Sequence, residues 1–200
     1  MEVKEQIPSQ EHGAKSNVSY AVKGFAEKEG DEIYEKARKN LLDINRWHEL
    51  SGALSARFYL TDPYGNETDR LPLQGDYIKI HLPSSADDKF DWVRIELIEE
   101  RKPREHIKWI MIRVRPSDPP QEKQETEHFF SEEATSNFYV GQTGRKVEAS
   151  VGGRNELPNI EAPGMINKIR DVIVGLAAMA GFNYPQWKSL VKGILSAGKK

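Results

Sequence analysis

Apolar and polar positions along the chain change period three times. Val18, Tyr20, Val22 and Phe25 alternate with smaller or polar residues and predict a first strand. From Asp31, a candidate N-cap with Glu32 behind it, Ile33, Ala37, Leu41, Ile44 and His48 recur every three or four residues, with Tyr34 and Trp47 beside them. That spacing predicts one helix with a single apolar face, ending at Ser51-Gly52. The period then drops to two. Phe58/Leu60, Ile78/Ile80/Leu82, Val93/Ile95/Leu97 and Ile110/Ile112/Val114 each form one apolar face of a strand. An antiparallel sheet covered on one side has this signature. Turn chemistry falls at Asp62-Pro63-Tyr64-Gly65-Asn66, and a hairpin loop is expected at Pro103-Arg104. The polar, Pro-rich stretch from Pro116 to Glu125 reads as a long exposed loop. Two more strands are expected near 126–141 and 145–152, joined at Thr143-Gly144.

After Gly152-Gly153 the helical period returns. Ile166, Ile169, Ile173, Leu176 and Ala180 form a stripe on a helix expected from Ala162 to Ala180, with Pro163 at its start and Gly181 at its end. Asn183 then caps a last helix, Pro185 to Ser196, turning Trp187, Leu190, Val191 and Ile194 inward. This order predicts an α+β protein: a curved antiparallel sheet whose apolar face is covered by helices from both ends of the sequence. Residues 1–16 are too polar to offset their ordering entropy and are expected to be a disordered tail, leaving 17–200 as a single domain.

Composition narrows the chemistry. The 200 residues include no cysteine, which removes disulfides, thiolate nucleophiles and Cys-based metal sites. The 29 basic and 31 acidic side chains nearly cancel, so no attraction to nucleic acid is implied. The most apolar run, Val172 to Phe182, falls short of the ~20 residues a membrane-spanning helix needs, so integral membrane association is not expected. The charged N-terminus lacks the apolar stretch of a secretory signal, which leaves the cytoplasm as the expected location.

The segment Asp43-Ile44-Asn45-Arg46-Trp47-His48-Glu49-Leu50-Ser51-Gly52 closes a helix on a Trp shortly before the next strand. It resembles the early part of the START-like, polyketide-cyclase (SRPBCC) superfamily. Asp91-Trp92-Val93-Arg94-Ile95-Glu96 resembles a mid-sheet strand of the same superfamily. The resemblance spans roughly residues 17–182. It implies a helix-grip fold: a curved sheet gripped by a long C-terminal helix, here 162–180, with the short final helix as an addition to the pattern. It also implies a hydrophobic or amphipathic small molecule held between sheet and helix, with no cofactor. Trp47, His48, Trp109, Arg154, Ile173 and Leu176 are the candidate ligand contacts.

No residue pattern settles the chemistry further. No His-x-His or His-Glu-x-x-His spacing supports a metal site, and none is expected. There is no Gly-x-Ser-x-Gly elbow. Gly141-Gln142-Thr143-Gly144-Arg145-Lys146 lies between two strands and reads as a hairpin turn rather than a phosphate loop. Gly152-Gly153-Arg154-Asn155-Glu156 reads as a strand-to-helix connection, with Arg154 available to a carboxylate or phosphate at a pocket entrance. Three function classes follow. The first is a non-enzymatic binding protein. The second is a cyclase, dehydratase or hydrolase on the same scaffold, using His48, His81 or a carboxylate as base. The third is an interaction module using the 116–125 loop or the last helix. Oligomeric state is open.

Overall fold

The computed structural model describes residues 14–52, 56–81, 90–120, 135–156 and 187–196. Seven antiparallel strands form one curled sheet: β1 (Ala14–Lys23), β2 (Arg57–Thr61), β3 (Tyr77–His81), β4 (Asp91–Arg104), β5 (Ile107–Pro116), β6 (Thr135–Thr143) and β7 (Lys146–Glu156). Their order across the sheet is β1-β7-β6-β5-β4-β3-β2. The first two strands in sequence are therefore the two edges. The chain between them must cross the whole sheet, and it does so as helices: α1 (Glu27–Leu42), a short 3-10 turn (Ile44–Arg46) and α2 (Trp47–Ser51). A C-terminal helix, α3 (187–196), packs on the same face.

Strand register divides the sheet into two faces. Val18, Val151, Phe138, Ile112 and Ile98 form one continuous row across five strands, and Leu60, Ile78 and Val93 form another at the far edge. Together with Tyr34, Ala37, Leu41 and Ile44 from the helices, and Leu190, Val191 and Ile194 from α3, they make the core on the inner face. Burying these side chains is the main force holding helices to sheet.

The predicted strand faces are observed except at Leu97, which a register shift after Ile95 sets opposite Arg113 on the other face so that Ile98 turns inward, and at Leu82, which lies outside the described residues; the turns at Asp62–Asn66 and at Gly144 are observed too. Asp62 accepts the backbone N–H groups of Tyr64 and Asn66, both at 2.9 Å, and Gly65 and Gly144 take positive φ. Four further details differ from expectation. First, α1 starts at Glu27, a turn before Asp31. Asp31 does not cap it; its carboxylate instead meets His106 at 2.8 Å and Lys108 at 3.3 Å on the β4–β5 hairpin. Second, the expected single helix breaks at Asp43 into α1, the 3-10 turn and α2. Third, the β4–β5 turn falls at Glu105-His106, and Pro103 lies in an irregular part of β4, where no ladder N–H is required. Fourth, β7 runs through Gly152, Gly153 and Arg154 to Glu156 and is not a connection there. It is paired on both sides, by β1 and β6, and that double ladder outweighs the weak strand preference of glycine.

Asn45 pins the crossing segment to β2 and its following loop, and Asp76 braces that loop internally. Asn45 accepts the Leu60 N–H at 2.7 Å and donates to the Thr68 carbonyl at 2.8 Å. Buried Asp76 accepts both arms of Arg70, at 2.6 and 2.8 Å, and the Leu73 N–H at 2.8 Å. At the opposite end α1 is tied to the β4–β5 hairpin by Arg38–Glu100 (2.7 Å) and Lys108–Glu35 (2.8 Å).

Candidate functional site

The inner face is closed at one end and apolar at the other. Toward the β4–β5 hairpin, Glu100 and Lys108 share the register side of Ile98 and Ile110 and are spent on α1. Toward β2, β3 and the start of β4, the face carries Phe58, Ile80 and Val93 instead.

Above that end stands an aromatic quartet. Trp47 is fully buried, its ring 5.5 Å from Phe58 edge-on and 4.6 Å from Phe138. Its indole N–H donates to the Leu41 carbonyl at 3.1 Å, so the polar end of the ring is satisfied within the helix crossing. Trp187 of α3 completes the group, 5.5 Å from Phe138 and 6.2 Å from Phe58, and is only half-buried.

Within this apolar end lies one carboxyl group. Asp91 pairs with Ile80, which in turn pairs with Phe58, so the three side chains form a row across β4, β3 and β2 on the inner face. Asp91 makes no hydrogen bond or ion pair with any described residue, although its side chain keeps partial exposure. Burial pushes its carboxyl up to about 7, and no charge among the described residues opposes the shift. The sequence carried the signal: Asp91 has the parity of Val93 and Ile95, the apolar side of its strand.

The structure does not gather all the residues expected at a ligand site. Trp47 is there, as the floor of the aromatic quartet. His48 is half-buried on α2, and its carbonyl accepts the Gly52 N–H. Trp109 is on the other face of the sheet. It pairs with Gly141 and Arg101, and its ring lies 6.4 Å from Tyr139 over Met111. That face also holds Lys79, which sits 4.1 Å from the centre of the Phe90 ring and 3.2 Å from the Glu67 carboxylate. Arg154 has its backbone opposite Thr135 in β7. Ile173, Leu176 and the whole expected helix at 162–180 lie outside the described residues, as do 121–134. Among the described residues no group of His, Asp and Glu is arranged to hold a metal ion, and no helix is long and apolar enough to cross a membrane.

A sheet whose two edges are its first strands, crossed by paired helices and covered by a C-terminal helix, defines the helix-grip fold; this chain has that fold. A hypothetical protein from Helicobacter pylori has a similar structure, with a TM-score of 0.57 over 100% of this chain and 95% of that one, at 11% identity. That similarity establishes the shared fold and nothing of shared chemistry. Weaker similarities run to the ginseng major latex-like protein 151 of Panax ginseng (TM-score 0.45, 9% identity, 94% of this chain and 100% of that one). They also run to a truncated norcoclaurine synthase of Thalictrum flavum (TM-score 0.43, 9% identity, 96% and 99%). No family model matches the sequence, and no curated protein matches it either.

Proposed function

We propose that this protein binds a hydrophobic or amphipathic small molecule on the inner face of its sheet, at the end formed by β2, β3 and the start of β4. The observation that supports the reading is the row Asp91, Ile80, Phe58, whose Phe58 end packs against half-buried Trp187. A core that only had to hold the fold together would gain nothing from a desolvated carboxyl. A ligand pocket, by contrast, is mostly apolar with a few polar groups that set orientation. The segment 162–180 is the expected outer wall, with Ile173 and Leu176 turned toward the ligand.

Native mass spectrometry of freshly purified protein, followed by organic extraction, tests this directly. The expected result is a stoichiometric hydrophobic adduct, reduced when Ile173 or Leu176 is changed to Trp. A clean apo mass, with no uptake from a library of lipids and aromatic compounds, would overturn the reading.

Asp91 also favours a second reading. A carboxyl that titrates at about 7 is poised to give and take protons near neutrality. In an enzyme of cyclase, dehydratase or hydrolase type it would be the acid or base. Conversion of an extracted compound by the native protein, lost in Asp91→Asn, would mark that outcome.

A further inference from the structure

We infer that the site selects amphipathic cations: molecules with a primary or secondary amine at one end and an apolar body of one or two rings, or a short alkyl chain, at the other. The inference rests on the ligand-binding reading and names the chemistry of that site.

Three features of the inner face lead to it. The first is position. Adjacent strands lie ~4.8 Å apart, so the row from Asp91 across Ile80 to Phe58 spans ~10 Å. An ammonium group seated on Asp91 places an apolar tail of that length over Ile80 and against Phe58 and Trp187.

The second is partner chemistry. Along the ladder Asp91 is flanked by Ile80 of β3, with Phe58 beyond it on β2 and Val93 two residues along β4; on the other side the chain runs on past β5, where the Ser117 N–H donates to the Trp92 carbonyl and Asp118 follows. The inner-face position of β5 nearest to it is Pro116, opposite Val93, while Arg94 and Arg115 pair on the outer face. Arg115 is there bound to Glu96. From α3 the Trp187 ring lies 6.2 Å from that of Phe58, and Lys188 is exposed. No cation of the described chain therefore neutralises Asp91. An ammonium brought by a ligand would do so through a charge-assisted hydrogen bond, at roughly twice the strength of a neutral one.

The third is the aromatic lining. Phe58 is buried and Trp187 half-buried, with ring centres 6.2 Å apart, so the row ends on an aromatic wall that suits an apolar body, and the exposed part of Trp187 adds attraction for a cation close to it. A carboxylate ligand meets the opposite situation, a second acid with no positive group to separate the two.

Two matched probe series distinguish these possibilities: octylamine, octanol and octanoate, and tryptamine, tryptophol and indolepropionate. Binding to the full-length protein is measured by calorimetry at about pH 6 and about pH 8, on either side of the Asp91 carboxyl. The amine of at least one series is expected to bind about tenfold more tightly than its alcohol at the higher pH, and the acid more weakly than either. Amine affinity should rise with pH as Asp91 ionises. Asp91→Asn keeps the shape of the side chain and should remove the amine preference and its pH dependence. Circular dichroism and thermal unfolding of the variant confirm that it is folded. If amine, alcohol and acid bind alike, or if the preference survives in Asp91→Asn, the pocket stands and the cation selectivity is overturned. If no member of either series binds, the selectivity is overturned as well, and the extraction experiment shows whether the pocket goes with it.

Discussion

Asp91 occupies a position that its strand partners dictate, so its ionisation works against folding. Unfolded, the carboxyl titrates near the ordinary 3.8; folded, at about 7. Between those values the unfolded chain releases its proton while the folded chain keeps it. The contribution of this group is therefore fully favourable below the ordinary value and is lost as pH rises through about 7. Each unit corresponds to ~1.4 kcal/mol, and the residual exposure of the side chain reduces the whole effect to ~2 kcal/mol. Asp91→Asn is expected to raise the urea midpoint at about pH 8 and to leave it unchanged near pH 3.5. A midpoint unmoved at both values would mean that water reaches the carboxyl freely. Asp76 differs from it in its partners. It is buried, but accepts three hydrogen bonds, two from Arg70 and one from the Leu73 N–H. Asp76→Ala leaves those donors unserved and should cost ~2 kcal/mol in chemical unfolding. Both carboxylates are equally plain as letters in the sequence. What separates them is a partner, six residues away for Asp76 and absent among the described residues for Asp91.

Helix α3 depends on a close approach that only glycine allows. An ideal Cβ on Gly193 would lie 2.2 Å from the Leu50 carbonyl oxygen and 2.8 Å from its carbon, at the end of α2. Asn40 of α1 donates to the Ile194 carbonyl at 2.9 Å, so both crossing helices hold α3 at this point. In an open helix, alanine in place of glycine stabilises by about 1 kcal/mol. Here Gly193→Ala should instead lower thermal stability, by ~2 kcal/mol, because backbone cannot yield as a side-chain tip can. Ser189→Ala, on the exposed side of α3, is the control and should be neutral or slightly stabilising. A stable Gly193→Ala variant would show that α3 can shift along the sheet without loss. The helical period of 187–196 was legible in the sequence, as were its inward residues Trp187, Leu190, Val191 and Ile194. Its importance was not, because nothing local tells an appended helix from one that completes the core.

Across the whole molecule, Trp47 links the layers. It belongs to the crossing helices, touches Phe58 of β2 and Phe138 of β6, and through them meets Trp187 of α3. Trp47→Ala should cost ~4 kcal/mol in equilibrium unfolding. Trp47→Phe should cost less, with the loss of the indole bond to the Leu41 carbonyl as its main penalty. If the two variants were equally destabilised, the hydrogen bond rather than the ring packing would hold the crossing in place.

The alternation of apolar and polar residues determined the strands, their inner faces and the helical stripe of α1, because a side-chain period of two or 3.6 is a property of the backbone alone. It also determined that Asp91 would share a face with Val93 and Ile95. The tertiary structure decided the rest. Pairing on both sides carried β7 through two glycines that read locally as a break. Register sent Trp109 to the outer face of the sheet, whereas the helix crossing carried Trp47, equally large and apolar, into the core on the inner face. Sheet order brought the first strands to the two edges and so required the helices to cross between them. Asp91 became a desolvated acid only when the fold set it on the inner face in a row with Ile80 and Phe58. A charge in the sequence becomes a site when the fold removes its water and leaves its partner to be supplied from outside.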